Sequence, residues 1–109
     1  MRIAMFMRWE GVTLEQYDHI SDIVDMKDNF PEGAVVHICS HDGSALRITD
    51  VWESAEDFNT YVAERLMPAT KEVGITGEPQ VEVYPLHALF APEEEEEEFE
   101  EEEIEEVEA

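Results

Sequence analysis

The sequence predicts an α+β domain of order β-α-β-β-α-β: one four-stranded antiparallel sheet with two helices on one face. Three observations carry this. Residues 46–52 (LRITDVW), a β-type run, lead straight into a helix that opens at Ser54, with no glycine or proline at the joint. Asp42-Gly43 separates two further β-type runs, a strong short-hairpin signal. Two stretches with apolar residues at helical spacing alternate with these strands. A chain of 109 residues allows one such domain with an adequate core.

Strand one covers residues 3–9, a short apolar run as in a strand covered on both faces. Gly11 ends it. Thr13-Leu-Glu-Gln16 is a capping box, with Val12 and Tyr17 placed as a hydrophobic staple. Tyr17, Ile20, Ile23 and Val24 form an apolar stripe, so helix one runs from about 14 to 26. Pro31 and Gly33 mark the loop 27–33. Strand two is 34–41 and strand three 44–53. With Asp42-Gly43 as the two turn residues, His37 opposes Ile48 and Val35 opposes Asp50.

Ser54, with Asp57 three residues on, caps helix two. Its buried face is Phe58, Tyr61, Val62, Leu66 and Ala69. Pro68 must kink it or restart it, because an interior proline loses a helical hydrogen bond. Strand four is 80–90, and Pro85 within it marks an edge strand. This is the split βαβ, or ferredoxin-like, plan, whose usual sheet order 4-1-3-2 puts strand four at an edge. Residues 1–92 form the domain. Residues 93–109 hold 13 of the 29 acids and no base, a composition that predicts a disordered tail.

On these elements the chain resembles the dimeric α+β barrel superfamily, which includes the antibiotic-biosynthesis-monooxygenase-like proteins. The resemblance spans about residues 2–91. It rests on the element order, the joint Asp50-Val-Trp-Glu-Ser-Ala-Glu-Asp-Phe58, the Met67-Pro68 interruption and the ending Leu89-Phe90-Ala91. It implies a homodimer whose two sheets face each other, and a range of roles that includes cofactor-independent oxygenases of electron-rich aromatics. Trp52 matches an aromatic that catalytic relatives place at the end of strand three. Helix two carries Tyr61 and no histidine between 54 and 74, so no full catalytic set carries over.

Outside the tail, 16 acids stand against 6 bases, which disfavours nucleic acid and anionic membranes as partners. Cys39 is the one cysteine, which fits a cytoplasmic setting. The apolar N-terminal run is too short for a signal-peptide core. His37, on a strand beside apolar neighbours, shares a face with Cys39, Ile48, Asp50 and Trp52, and a histidine held by an aspartate suits proton abstraction from a phenol or enol. The bland alternative is a buried, satisfied polar pair in a dimer interior. His87, on strand four, would close the same pocket. Met5, Met7 and Trp52 would hold a flat apolar ligand. His41 reads as a solvated turn residue and His19 as exposed. His37 and Cys39 are too few for a metal site, and no cofactor motif is present.

The expectation is a homodimeric small-molecule binding protein or cofactor-independent monooxygenase-like enzyme acting on an apolar aromatic or enolisable compound. His37 and Asp50 are its candidate catalytic residues, and Trp52, His87, Met5 and Met7 its candidate substrate-binding residues. The alternative is a non-catalytic dimeric module whose acidic tail recruits a basic protein partner or maintains solubility.

Overall fold

The computed structural model describes residues 1–92, so the expectation for the tail lies outside the described residues. Strands β1 (Ile3–Glu10), β2 (Ala34–His41), β3 (Ala45–Trp52) and β4 (Gln80–Pro85) form one antiparallel sheet in the order β2-β3-β1-β4. That is the expected order read from the other edge. Helices α1 (Leu14–Val24), α2 (Ala55–Tyr61) and α3 (Met67–Val73) cover one face. Among the described residues no helix is long and apolar enough to cross a membrane.

Strand β1 corrects the first expectation. Ile3, Met5, Met7 and Trp9 are buried under the helices, whereas Phe6 on the opposite face is 43% exposed. The helices lie on one side only, so the run alternates as any half-covered strand must. Across the sheet the uncovered face carries Ala4 and Phe6, their β3 partners Val51 and Thr49, the β2 residues Val36 and Ile38, and Tyr84 of β4. Both tryptophans and Leu46 lie on the helix-covered face.

The hairpin is a second correction. His37 pairs with Asp50 and Cys39 with Ile48, so the turn residues are Gly43 and Ser44 rather than Asp42 and Gly43. The Asp42 carboxylate accepts from the amides of Ser44 and Ala45, both at 2.9 Å, which fixes Asp42 as the first residue of the turn. Gly43, at φ +95°, takes the position that disfavours any side chain. The pairing moves by two residues, so every side chain keeps its face. A bulge between Ala34 and Val36 marks the start of β2.

Both predicted caps form. Thr13 and Gln16 make the reciprocal capping box, and Ser54 accepts from the Asp57 amide. Helix one stops at Val24, two residues early, because Asp25 adopts a left-handed cap at φ 57°. The second helix divides as Pro68 requires. A π-type segment (Val62–Leu66) joins α2 to α3, and the Met67 amide reaches five residues back to the Val62 carbonyl. Pro68 sits in the first turn of α3, where its missing N–H costs least. The Arg65 guanidinium donates to the carbonyls of Val24 and Asn29, tying this segment to the end of α1.

Strand β4 ends at Pro85 and not at 90. Its partner β1 begins at Ile3, opposite Pro85, and the Leu86 amide makes one last bond to the Arg2 carbonyl. No strand residue remains for 87–90 to pair with. His87 therefore lies beyond the sheet and is exposed.

Candidate functional site

Strand pairing sets a row of side chains on the helix-covered face. Met5 of β1 opposes Asp50 of β3, which opposes His37 of β2. Asp50 is 4% exposed, so its carboxylate needs partners for both oxygens. Oδ1 lies 2.7 Å from His37 Nδ1, and Oδ2 accepts from Trp52 Nε1 at 3.0 Å. A carboxylate only accepts, so in the neutral imidazole Nδ1 carries the proton and Nε2 is left with a lone pair. That lone pair faces the Tyr17 hydroxyl at 2.7 Å, which therefore donates to it. The result is a chain of three bonds, Trp52 to Asp50 to His37 to Tyr17, drawn from β3, β2 and α1. No buried polar side-chain atom among the described residues lacks a partner.

Beside this chain, between sheet and helices, is a cavity of about 40 Å³. Its wall is almost wholly apolar: Met5, Met7 and Ile48 from the sheet, Ile20 and Val24 from α1, Phe58 from α2. Tyr17, Ser21, His37, Asp50 and Tyr61 bring the polar groups. As packed it holds roughly three waters at about 10–15 Å³ each. A smaller cavity of about 10 Å³ is also lined by His37 and Asp50, with Met26, Phe30, Pro31 and Trp52. The pair thus borders two gaps in the packing, the second lined also by Phe30 and Pro31 of the loop that follows α1.

Burial dominates the electrostatics. It raises the Tyr17 phenol far above its ordinary value, with the charges of Cys39, Tyr61, Asp50 and Asp18 adding to the effect. Burial also pushes Tyr61 up to about 12, Asp50 contributing, and Cys39 up to about 11, with Asp18 contributing. All three are protonated at neutral pH. Cys39 is accordingly held as the thiol, the less nucleophilic form.

Of the predicted residues, the structure brings His37, Asp50, Met5 and Met7 together at the larger cavity. Trp52 stands behind Asp50, 1% exposed, packed edge-on against Phe58 and tilted against Tyr61, and it borders only the smaller cavity. His87 is a correction: strand β4 stops short of it, and it lines neither of these two cavities. His41 is another, being structural rather than a solvated turn residue. Its Nε2 donates to the Val12 carbonyl at 3.0 Å and its Nδ1 accepts from the Gly43 amide. His19 is exposed. Among the described residues no three His, Cys, Asp or Glu side chains are grouped to hold a metal ion. Sequence reasoning missed Tyr17 as a site residue. The available signal was a tyrosine within the buried stripe of helix one, whose hydroxyl must find a partner inside.

No protein-family model and no curated protein matches the sequence. Solved structures do match the fold. A protein of unknown function from Nitrosomonas europaea superposes with a TM-score of 0.65 at 17% identity, over 84% of this chain and 94% of that one. SnoaB, a cofactor-independent oxygenase from Streptomyces nogalater, superposes with a TM-score of 0.61 at 10% identity, over 81% and 95%. A candidate antibiotic biosynthesis monooxygenase from Chloroflexus aurantiacus gives 0.53 at 18% identity, over 81% and 96%. The chain thus has the ferredoxin-like α+β fold of these structures.

Proposed function

We propose that the chain binds a small apolar aromatic or enolisable compound and removes a proton from it, as a cofactor-independent enzyme of the monooxygenase-like kind. The observation that carries this reading is the His37–Asp50 pair set against an apolar cavity. A carboxylate that holds Nδ1–H fixes the imidazole tautomer and stabilises the imidazolium formed when Nε2 takes a proton. Trp52 N–H holds the other carboxylate oxygen, so the base is oriented from behind. The almost wholly apolar wall suits a neutral ligand whose anion is then delocalised and electron-rich. The cavity as packed is smaller than such a ligand, and Met5, Met7 and Met26 are the unbranched side chains able to repack around one. The fold shared with an oxygenase that needs no cofactor is consistent with this chemistry.

The homodimer belongs to the same proposal. Phe6, Ile38 and Tyr84 are 43%, 51% and 51% exposed on the uncovered sheet face, an apolar patch suited to a second copy. A non-catalytic dimeric module is the rival, and the complete hydrogen bonding of the pair is what favours it. Replacing His37 with glutamine separates the two. A base predicts that turnover of an enolisable aromatic falls about 10²–10⁴-fold while the fold persists. A protein that stays folded and keeps full turnover would end the assignment.

A further inference from the structure

His37 Nε2 is not free to meet a ligand, because its one lone pair already accepts from the Tyr17 hydroxyl at 2.7 Å. Asp50 is no substitute, since each of its oxygens already holds a donor. Tyr17 is differently placed. It lines the cavity, its ring lies nearly parallel to the imidazole at 12°, and it gives its only proton to His37. Its oxygen keeps lone pairs, so it offers the cavity an acceptor and no donor. The group that such an oxygen recognises is an acidic O–H on an otherwise apolar molecule.

We propose that Tyr17 is the residue that touches the ligand, accepting the proton of a phenol or enol on Oη while its own proton passes to His37 Nε2. This rests on the base reading above and names the ligand's contact within it. The step balances. The ligand's O–H bond breaks and its electron pair stays on the ligand as a phenolate or enolate. A new O–H forms on Tyr17 as its old one is released, and a new N–H forms on His37. Tyr17 ends neutral, and the positive imidazolium lies against the Asp50 carboxylate. Burial that raises the phenol suits this role, because Tyr17 never has to hold the negative charge alone. Relay also explains how a histidine behind a tyrosine can act as a base without breaking the bond that orients it.

The test uses the full chain and para-nitrophenol, whose anion is coloured, at a pH below the probe's own ionisation. Calorimetry measures binding and absorbance measures the ionised share of bound probe, in the wild type, Tyr17→Phe and His37→Gln. The relay predicts that both variants lower the ionised share by about tenfold or more, with the probe still bound. Tyr17→Phe that ionises the probe as the wild type does, while His37→Gln does not, overturns the relay and leaves His37 as a direct base. A wild type that leaves the probe neutral or unbound removes the base reading itself, and the relay with it. Should Tyr17→Phe not fold, a crystal structure of the wild-type complex decides. Probe oxygen on Tyr17 Oη, with the Tyr17–His37 bond intact, supports the relay, and probe oxygen on His37 Nε2 overturns it.

Discussion

Asp50, His37 and Tyr17 were unequally legible in the sequence. Asp50 and His37 were readable because a short hairpin brings strand residues of known face together, and a two-residue error in the turn leaves the faces unchanged. Tyr17 was not, because its apolar ring at helical spacing looks like core and only the register of α1 over the sheet aims its hydroxyl at a particular imidazole. The same burial has a stability consequence. Tyr17, Tyr61 and Cys39 all hold their protons more tightly when folded than the ordinary values of 10.0, 10.0 and 9.0 allow an unfolded chain to do. Between those values and the folded ones the unfolded state binds fewer protons, so stability must fall as pH rises. Their contribution is complete below about pH 9 and is lost as pH climbs toward about 12. Urea midpoints should therefore drop steeply across that window, and less steeply in Tyr61→Phe. A midpoint that stays level there would show that these groups are not protected in the fold.

Two elements show how a local residue sets geometry at a distance. Pro68 was rightly read as an interruption, but proline alone does not say whether a helix kinks or restarts. The chain does neither abruptly: it widens by one residue over Val62–Leu66, and Arg65 then binds the end of α1 and stacks 5.7 Å over the Tyr61 ring. Gly33 is a second case, invisible to turn statistics. It has φ +86°, its carbonyl accepts from the Glu53 amide at 2.7 Å, and an added Cβ would lie 2.5 Å from Asp57 Cγ at the start of α2. Gly43 has φ +95° with nothing near. Both strain an alanine, but only Gly33 also displaces a neighbour. We expect Gly33→Ala to cost about 1–3 kcal/mol and Gly43→Ala nearer 1 kcal/mol. Chemical denaturation of both variants checks this, and equal losses would mean that the approach to Asp57 does not matter. The length of strand β4 was misread for a related reason. Its apolar residues continue to Phe90, but strands last only while a partner does, and β1 starts at Ile3.

At the scale of the molecule, the fold was legible because element order, caps and turns all agreed. What faces the uncovered side of the sheet was not, since alternation along a strand does not say which face the helices cover. The residues that remain there, with Phe6 on the inner strand β1 and Ile38 on the edge strand β2, make the proposed self-association specific. Ile38→Glu would set a charge against its own copy in a two-fold interface. Sedimentation at micromolar concentration should give a dimer for the wild type and a monomer for Ile38→Glu. A wild-type monomer would refute the pairing, and a dimer unchanged by Ile38→Glu would move the interface elsewhere.

The central claim is that His37 receives a ligand's proton while Asp50 holds its other nitrogen. Ring-nitrogen NMR of the wild-type chain, with and without para-nitrophenol, tests it directly. Without the probe, Nδ1 of His37 should be protonated and Nε2 bare. With the probe bound as its anion, both nitrogens should carry protons. A His37 whose ring nitrogens do not change when the probe binds would contradict the account, and the pair would then be a structural network in the core of the fold.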